Sequence, residues 1–208
     1  MKHAPREREP ADDSVPDAAL LRRGTAGDAR AFEALVERWG DRVHGFLAHV
    51  LRDRGAADDV AQETFVRVFE HASTFDPRQA FEVWLLRIAR NLAIDRLRRR
   101  RLEREAAAEA VASASRFAPE REPIDLAAQS EFGERLGAAL AELAEPFRTA
   151  FLLREFEGLS YEEIGAVTDV PAKTVSTRLV RAREQLRTAL GLERPEATHA
   201  RRDAKGEA

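Results

Sequence analysis

The chain has 208 residues, 44% of them hydrophobic and 34% charged, with a formal net charge of −3, which fits one ordinary domain or two small ones. The charged fraction and the lack of any apolar run of about 18 residues exclude a membrane-spanning helix, and the charged residues 1–10 do not resemble a signal peptide. Cysteine is absent, which excludes disulfides and thiolate metal sites and favours a cytoplasmic protein without membrane insertion.

The first half of the chain is predicted to be a compact bundle of four helices. Residues 1–16 are polar and rich in proline, which is typical of a disordered extension. Beyond them, apolar residues recur at helical spacing, most clearly in the second and fourth helices. The predicted helices cover about 17–23, with Asp17 as the N-cap, 28–51, 57–71, after a break at Gly55, and 81–101.

The second half begins with a change in composition. Residues 102–130 lose the apolar periodicity and carry more acids than bases, so they are predicted to be a flexible acidic linker. Helical pattern resumes over 131–192, and residues 193–208 lack an apolar face and are predicted to be a disordered tail. The expected fold class is therefore all-α, with two small helical domains, 17–101 and 131–192, joined by the linker.

The C-terminal helices carry the pattern of a helix–turn–helix. One helix is predicted to begin at Pro146 and to end at Gly158. Ser160 and Glu163 then form a predicted capping box for the next helix, and Pro171 stands at the first position of the last one. The last helix is expected to bury Val175, Leu179, Ala182 and Leu186.

With that stripe buried, the outward face of the last helix is basic and polar. In a helix–turn–helix, the second helix enters the major groove and presents its side chains to base edges and phosphates. The alternative interpretation is an ordinary helical hairpin with a solvated basic face. The candidate DNA-binding residues are Lys173, Thr174, Ser176, Thr177, Arg178, Arg181 and Arg183.

A second basic surface is predicted at the end of the fourth helix. Only three of the 34 basic residues are lysine, and the planar fork of arginine suits phosphates and base edges, although genomic base composition also explains a bias towards arginine. The four consecutive arginines at 98–101 exceed the one or two cations that a helix dipole explains. The run therefore favours contact with a polyanion.

Phe75, Phe81 and Trp84 lie just before this basic run. Aromatic side chains beside cationic residues hold unstacked bases, and each stack contributes roughly 1–3 kcal/mol. The alternative is core packing, which the helical periodicity favours for Phe81 and Trp84.

Asp59, Gln62 and Glu63 share one face of the third helix. Taken alone, they are explained as solvated side chains near a helix N-terminus, where the helix dipole favours acids.

Three blocks of sequence together resemble one known family. They are Asp-Asp-Val-Ala-Gln-Glu-Thr-Phe at 58–65, Trp-Leu-Leu-Arg-Ile-Ala-Arg-Asn-Leu-Ala-Ile-Asp at 84–95 and Glu-Gly-Leu-Ser-Tyr-Glu-Glu-Ile at 157–164. Their residues, order and spacing resemble the extracytoplasmic-function sigma factors, which direct RNA polymerase to promoters and start transcription there. The resemblance covers about 17–190.

The resemblance implies a role for each domain. Residues 17–101 would be region 2, which binds the clamp of core RNA polymerase and recognises and melts the minus-ten element. Residues 131–192 would be region 4, which reads the minus-thirty-five element and contacts the polymerase flap. Asp59, Gln62 and Glu63 match the clamp-binding positions, and an anti-sigma factor is an implied partner. The candidates for the minus-ten element are Phe75, Gln79, Phe81, Trp84, Arg87, Arg90, Asn91 and Arg98.

The sequence departs from the family pattern at the start of the last helix. Members usually carry Gly-Thr-Val-Lys/Arg-Ser-Arg there, whereas 173–178 reads Lys-Thr-Val-Ser-Thr-Arg. A basic residue is thus moved from position 176 to position 173, which leaves the base preference at the upstream box open.

Two rival functions make different demands on the sequence. A helix–turn–helix repressor or activator would need a dimer interface and a palindromic site, whereas this chain offers two different DNA-facing domains and is expected to be a monomer when free. An enzyme is not expected, because the five histidines lie at no metal-ligand spacing and no glycine-rich phosphate loop exists. No catalytic residue, metal site or cofactor is therefore predicted.

Overall fold

A computed structural model of the chain describes residues 15–111 and 131–192, so the predicted linker beyond residue 111, residues 1–14 and the tail 193–208 lie outside the described residues. Within those ranges the fold is all-α, as predicted, and no helix is long and apolar enough to cross a membrane. The eight helices are α1 Asp17–Thr25, α2 Ala29–Leu51, α3 Arg54–Glu70, α4 Phe81–Val111, α5 Glu131–Glu142, α6 Glu145–Glu155, α7 Tyr161–Thr168 and α8 Ala172–Ala189, with a 3-10 turn at Ala72–Thr74.

Helices α1–α4 form an N-terminal unit around one core. The amphipathic α2 packs against α1, α3 and α4, and its apolar stripe is fully enclosed at Leu35, Val43 and Leu47. Burying each such side chain contributes roughly 1.5–3 kcal/mol. Val68 of α3 and Leu85 of α4 complete the enclosed centre.

The start of α1 differs from the sequence prediction. Asp17 is not the N-cap, because Pro16 occupies that position and the Asp17 carboxylate accepts a hydrogen bond from Arg38 Nη1 at 2.6 Å. The same Arg38 nitrogen donates to the Val15 carbonyl oxygen at 2.9 Å. Asp17 therefore ties α1 to α2 instead of capping its own helix.

The predicted break at Gly55 is also wrong. Helix α2 ends at Leu51, and its C-cap Arg52 adopts the left-handed conformation at φ 58°. Asp53 then caps α3 by accepting from the Ala56 amide at 2.8 Å. Gly55 lies inside the first turn of α3. An aspartate that satisfies a free amide at a helix start is a stronger signal than a nearby glycine.

Helix α4 continues to Val111, past its predicted end at Arg101 and into the segment predicted as linker. Alanine, glutamate and arginine dominate 102–111, and all three are strong helix formers. An ion pair from Arg101 Nε to Glu105 Oε1, at 2.7 Å and one turn apart, supports the extension.

Helices α5–α8 form a C-terminal unit that contains the predicted helix–turn–helix. The capping box is confirmed: Ser160 Oγ accepts from the Glu163 amide at 3.2 Å, and Glu163 Oε2 accepts from the Ser160 amide at 2.8 Å. Asp169 makes the turn in the left-handed conformation, and Pro171 is the N-cap of α8 instead of its first helical residue. The stripe predicted for α8 is buried as expected, at Val175, Leu179, Ala182 and Leu186.

Helix α6 begins one residue before Pro146, at Glu145, and ends at Glu155, with Phe156 as its C-cap. The predicted stop at Gly158 therefore lies in the turn after the helix, where glycine takes a positive φ of 72°.

The two units touch through an interunit contact, in which α2 packs against α6 and α4 packs against α7. Arg42 of α2 donates to the carboxylates of Glu82 and Glu157, so one guanidinium joins α4 to the turn before α7. Arg148 of α6 donates to the Val50 carbonyl oxygen at 2.9 Å.

The turn of the helix–turn–helix leaves no room for a side chain at Gly165. A Cβ atom there would lie 2.7 Å from the Val170 carbonyl oxygen, which is backbone and cannot move aside. We expect Gly165→Ala to lower the free energy of unfolding of the C-terminal unit by about 1–3 kcal/mol, measured by urea unfolding. Gly45→Ala is the control: its Cβ meets nothing within 4 Å, so this helical position should gain about 0.5–1 kcal/mol. Equal stability of the two variants would contradict the steric argument.

Candidate polymerase and nucleic-acid interfaces

The structure places Asp59, Gln62 and Glu63 together on the solvent side of α3. Asp59 and Gln62 are exposed and Glu63 is half-exposed. Glu63 pairs with Arg67 at 3.4 Å, and Asp59 lies 3.8 Å from Arg96 of α4. These contacts are long and solvated, so they hold the carboxylates loosely and leave them available to a partner.

An apolar groove runs beside this acidic face, between α2 and α3. Gln62 lines it, and its volume is about 730 Å³. Val66 and Phe69 of α3 are 54% and 47% exposed along the groove. Exposed apolar surface bordered by acids is typical of a protein-binding site. Sequence reasoning missed Val66, although an apolar residue outside the buried stripe of α3 was a signal for it.

The aromatic residues before the basic run form a packed cluster. The Phe75 ring lies 5.6 Å from that of Phe81 and 5.2 Å from that of Trp84. Phe81 and Trp84 are buried, and Phe75 is partly buried against them. The core-packing alternative therefore describes Phe81 and Trp84 in this structure, while Gln79 in the adjacent loop is exposed.

Three of the residues predicted to bind the minus-ten element form one stripe along α4. Arg87, Asn91 and Arg98 are all exposed, and their spacing places them on a single helix face. Arg90 is different, because its side chain is only 17% exposed and its Nη2 lies 3.9 Å from Glu145 of the C-terminal unit. The interunit contact thus covers most of Arg90, one of the residues predicted to bind nucleic acid.

The arginine run at 98–101 of α4 contains both ion-paired and exposed members. Arg100 Nη2 donates to Asp53 Oδ2 at 2.6 Å. The pKa of Asp53 is lowered by the hydrogen bond from the Ala56 amide and then by the one from Arg100. Arg101 pairs with Glu105. Arg98 and Arg99 are exposed to solvent within α4.

The outward face of α8 is exposed along its length. Lys173, Thr177 and Arg181 lie on it with Val180 between them, and Val180 is 51% exposed. Sequence reasoning did not include Val180. An exposed aliphatic side chain in the middle of a basic face can contact the methyl group of thymine, so it belongs with the candidate base-reading residues.

The other predicted residues of α8 flank this face. Thr174, Ser176 and Arg178 are half-buried at its edges. Arg183 Nη2 donates to Glu155 Oε1 of α6 at 2.6 Å, which braces α8 within the unit. The Arg183 side chain is still 42% exposed, so its assignment to the upstream box stays a prediction.

No group of three or more acidic or histidine side chains in the described ranges could hold a metal ion.

Comparisons with known protein families match both units. The model of Sigma-70 region 2 matches residues 35–103, and that of Sigma-70, region 4 matches residues 133–186. The ECF RNA polymerase sigma factor SigE of Mycolicibacterium smegmatis is 38% identical over 88% of this chain and 70% of its own length. The RNA polymerase sigma-H factor of Pseudomonas aeruginosa is 35% identical over 84% of this chain and 93% of its own length.

Solved structures share the fold. CnrH in complex with the cytosolic domain of CnrY has a TM-score of 0.61 and 28% identity, over 86% of this chain and 99% of that chain. The sigma factor RpoE in complex with the anti-sigma factor NepR from Bartonella quintana has a TM-score of 0.63 and 21% identity, over 79% of this chain and 99% of that chain.

Proposed function

The chain belongs to the extracytoplasmic-function family of RNA polymerase sigma factors, and on that premise we propose that it binds core RNA polymerase and directs it to promoters, where it takes part in DNA melting and initiation. One observation carries the proposal: an exposed acidic face with an apolar groove on α3 and two separate basic surfaces, on α4 and α8, occur in one chain.

We assign polymerase binding to the acidic face of α3 and its groove. Asp59, Gln62 and Glu63 offer carboxylate and amide oxygens to basic residues of a partner, while Val66 and Phe69 offer exposed apolar surface. An apolar centre with a charged rim is the usual anatomy of a protein interface. The family resemblance indicates the polymerase clamp as the partner of this surface.

Recognition of the upstream promoter box is assigned to α8. Lys173 and Arg181 supply charge for phosphates and bases, and Val180 supplies an apolar contact. The half-buried Arg178 lies at the edge of this face. Helix α7 would cross the DNA backbone, as the first helix of a helix–turn–helix does.

The downstream box and its melting are assigned to α4 and the loop before it. Arg87, Asn91 and Arg98 form a polar track for one strand, and Gln79 stands exposed beside the aromatic cluster. Unstacking a base costs a few kcal/mol, and contacts with the extruded base must repay that cost. Phe75 is the aromatic of the cluster that is incompletely buried.

Regulation by an anti-sigma factor is part of the proposal. The solved relative RpoE is bound to an anti-sigma factor, and CnrH is bound to the cytosolic domain of CnrY. The present chain shares the helical fold of both. Its place of action would be the cytoplasm, where polymerase and chromosome are found, and the free protein would be a monomer.

Reversing the charge of the α3 face should abolish polymerase binding. We expect Asp59→Arg with Glu63→Arg to leave the helical fold intact, because both side chains are solvated, and to remove core polymerase from a pull-down. The control is Asp95→Arg with Glu103→Arg, which makes the same charge change at two exposed positions of α4. Normal pull-down by the folded α3 variant would refute the assignment.

Loss of Arg178 should weaken upstream recognition. A lost base contact costs about 1–3 kcal/mol, so Arg178→Ala should reduce the affinity for an upstream-box duplex about 5–150-fold, measured by fluorescence anisotropy at fixed salt. Arg187→Ala, about two and a half turns further along α8, is the control and should have a small effect. An unchanged footprint and promoter preference would make Arg178 a structural residue.

Gln79 should act in melting more than in initial binding. Its side chain is exposed in the loop and has no packing role, so Gln79→Ala should fold normally. We expect fewer permanganate-reactive thymines in the open complex while the closed complex forms at the wild-type level. Equal reactivity in variant and wild type would exclude Gln79 from strand opening.

A further inference from the structure

We propose that α1 supplies a second nucleotide-binding site for the opened DNA strand. A cavity between α1 and the loop after α3, called the α1 cavity below, accepts the nucleotide next to the base that Gln79 contacts, and Arg22 binds the phosphate of that nucleotide. This site rests on the proposed function and extends it to a helix that has so far been given no contact with DNA.

The α1 cavity has the size and the walls of a site for one base. Its volume is about 410 Å³, within the range of about 300–1,000 Å³ that is usual for small ligands. Leu21 of α1, which is 2% exposed, lines it together with the rings of Phe69 and Phe75. The Phe69 side chain is 47% exposed, so part of its ring is open to a ligand. Aromatic surface of this kind binds the face of an unstacked base.

Arg22 is an unengaged cation on the rim of the cavity. It is exposed, and among the described residues its guanidinium has no hydrogen-bond or ion-pair partner. The neighbouring arginines are already paired: Arg23 lies 2.7 Å from Asp28, and Arg78 lies 2.7 Å from Asp76. Arg22 therefore has all its donors available for a phosphate.

The rim also holds groups that can contact a base edge. Glu70 lines the cavity, and its carboxylate lies 3.4 Å from Arg67 Nη1, which offsets part of its charge. The carboxylate can still accept from the exocyclic amino group of a base. Ser73 is exposed on the same rim, and its hydroxyl both donates and accepts. The cavity thus fits a base as well as the phosphate beside it.

The loop after α3 joins this cavity to the site proposed for strand opening. Phe75 and Pro77 line the cavity, and Gln79 follows Pro77 by two residues, a separation of at most about 7 Å. One DNA strand advances about 3.4 Å per nucleotide, so neighbouring nucleotides can reach Gln79 and the cavity together. The polar track of α4 then continues past Gln79 and ends on α1.

Helix α1 is held firmly enough to position Arg22. A Cβ atom at Gly24 would lie 2.9 Å from the Phe32 Cβ, so the α1 backbone packs directly against α2. At the other end of α1, the Asp17 carboxylate accepts from Arg38 at 2.6 Å. A binding group on a fixed helix loses less conformational freedom when it meets its ligand than one on a loop.

Arg22 is tested in holoenzyme made from the full-length chain and core polymerase. The probe is a forked promoter with a duplex upstream box and a single-stranded downstream box, and affinity is measured by fluorescence anisotropy over a series of salt concentrations. We expect Arg22→Ala to weaken binding about fivefold, the effect of one solvated ion pair. The slope of log affinity against log salt should fall in magnitude by about 0.7.

Two further variants control for charge and for folding. Arg30→Ala removes the same charge from an exposed arginine outside the cavity and should leave affinity and slope unchanged. Arg22→Lys keeps the charge and should bind as wild type does. Arg22→Gln keeps the length of the side chain, should behave as Arg22→Ala does, and covers the case of a poorly folded alanine variant.

A neutral backbone locates the phosphate. Methylphosphonates replace the phosphates of the single strand one at a time, and wild type should lose about fivefold in affinity at one position. Arg22→Ala should lose nothing further at that position, because the pair is already broken. Arg22 also lies in the last turn of α1, where the helix dipole favours a cation. A purely structural role would leave the two changes additive.

Filling the cavity tests the base. Thr25 lines the cavity and is exposed, so Thr25→Phe places a ring in the cavity without disturbing the core. We expect wild type to lose affinity when the base of the located nucleotide is replaced by an abasic site. Thr25→Phe should bind the two probes equally and more weakly than wild type binds the intact one.

Three results would overturn this site: equal affinity and salt slope in wild type and Arg22→Ala, additive losses at every phosphate position, or full discrimination against the abasic probe by Thr25→Phe. Each of them leaves the proposed function standing if wild-type holoenzyme prefers the forked promoter to a scrambled probe. Loss of that preference in wild type would reject the proposed function, and the α1 site with it.

Discussion

The structure depends on the burial of one helix, α4, on two of its faces. Phe81, Trp84 and Leu85 anchor one face in the core of the N-terminal unit, while Val83 and Leu86 are buried on a second face beside the C-terminal unit. An apolar helix face must be covered, and a helix with two such faces has to lie between two partners. The remaining face of α4 is left for polar residues, and there Arg87, Asn91 and Arg98 stand exposed.

Arginine performs two distinct tasks in this chain, and the partners of each guanidinium distinguish them. Arg42, Arg148 and Arg183 are engaged by carboxylates or backbone carbonyls and hold helices together. Other arginines, among them Arg87 and Arg98 of α4 and Arg181 of α8, are exposed, and the proposed function places them against nucleic acid. The planar, multiply donating guanidinium suits both tasks, so the abundance of arginine alone could not assign any single residue to either.

Structural features that depend on residues close together in the chain were predicted correctly from the sequence. The Ser160–Glu163 capping box and the buried stripe of α8 are fixed within one or a few helical turns, and the structure shows both.

Predictions failed where two local signals competed, as at Gly55, where the Asp53 cap decided the helix start. The partner of Asp17 lies 21 residues away on α2, and no local pattern reveals such a pairing. The interunit contact has the same character, since Arg42 and Glu157 are separated by 115 residues. In the sequence, Val83 and Leu86, the apolar residues of α4 outside its core-facing stripe, were the signal for this contact.

The second apolar face of α4 gives the association of the two units a thermal signature. Separating them exposes Val83 and Leu86 to water, and newly hydrated apolar surface raises the heat capacity. The contact between the units must therefore change in strength with temperature, because its apolar part weakens on cooling. The ion pairs of Arg42 follow the same course, since the cost of dehydrating charged groups rises as the temperature falls. Both contributions weaken on cooling, so the interunit contact is expected to be less stable at low temperature than at high temperature.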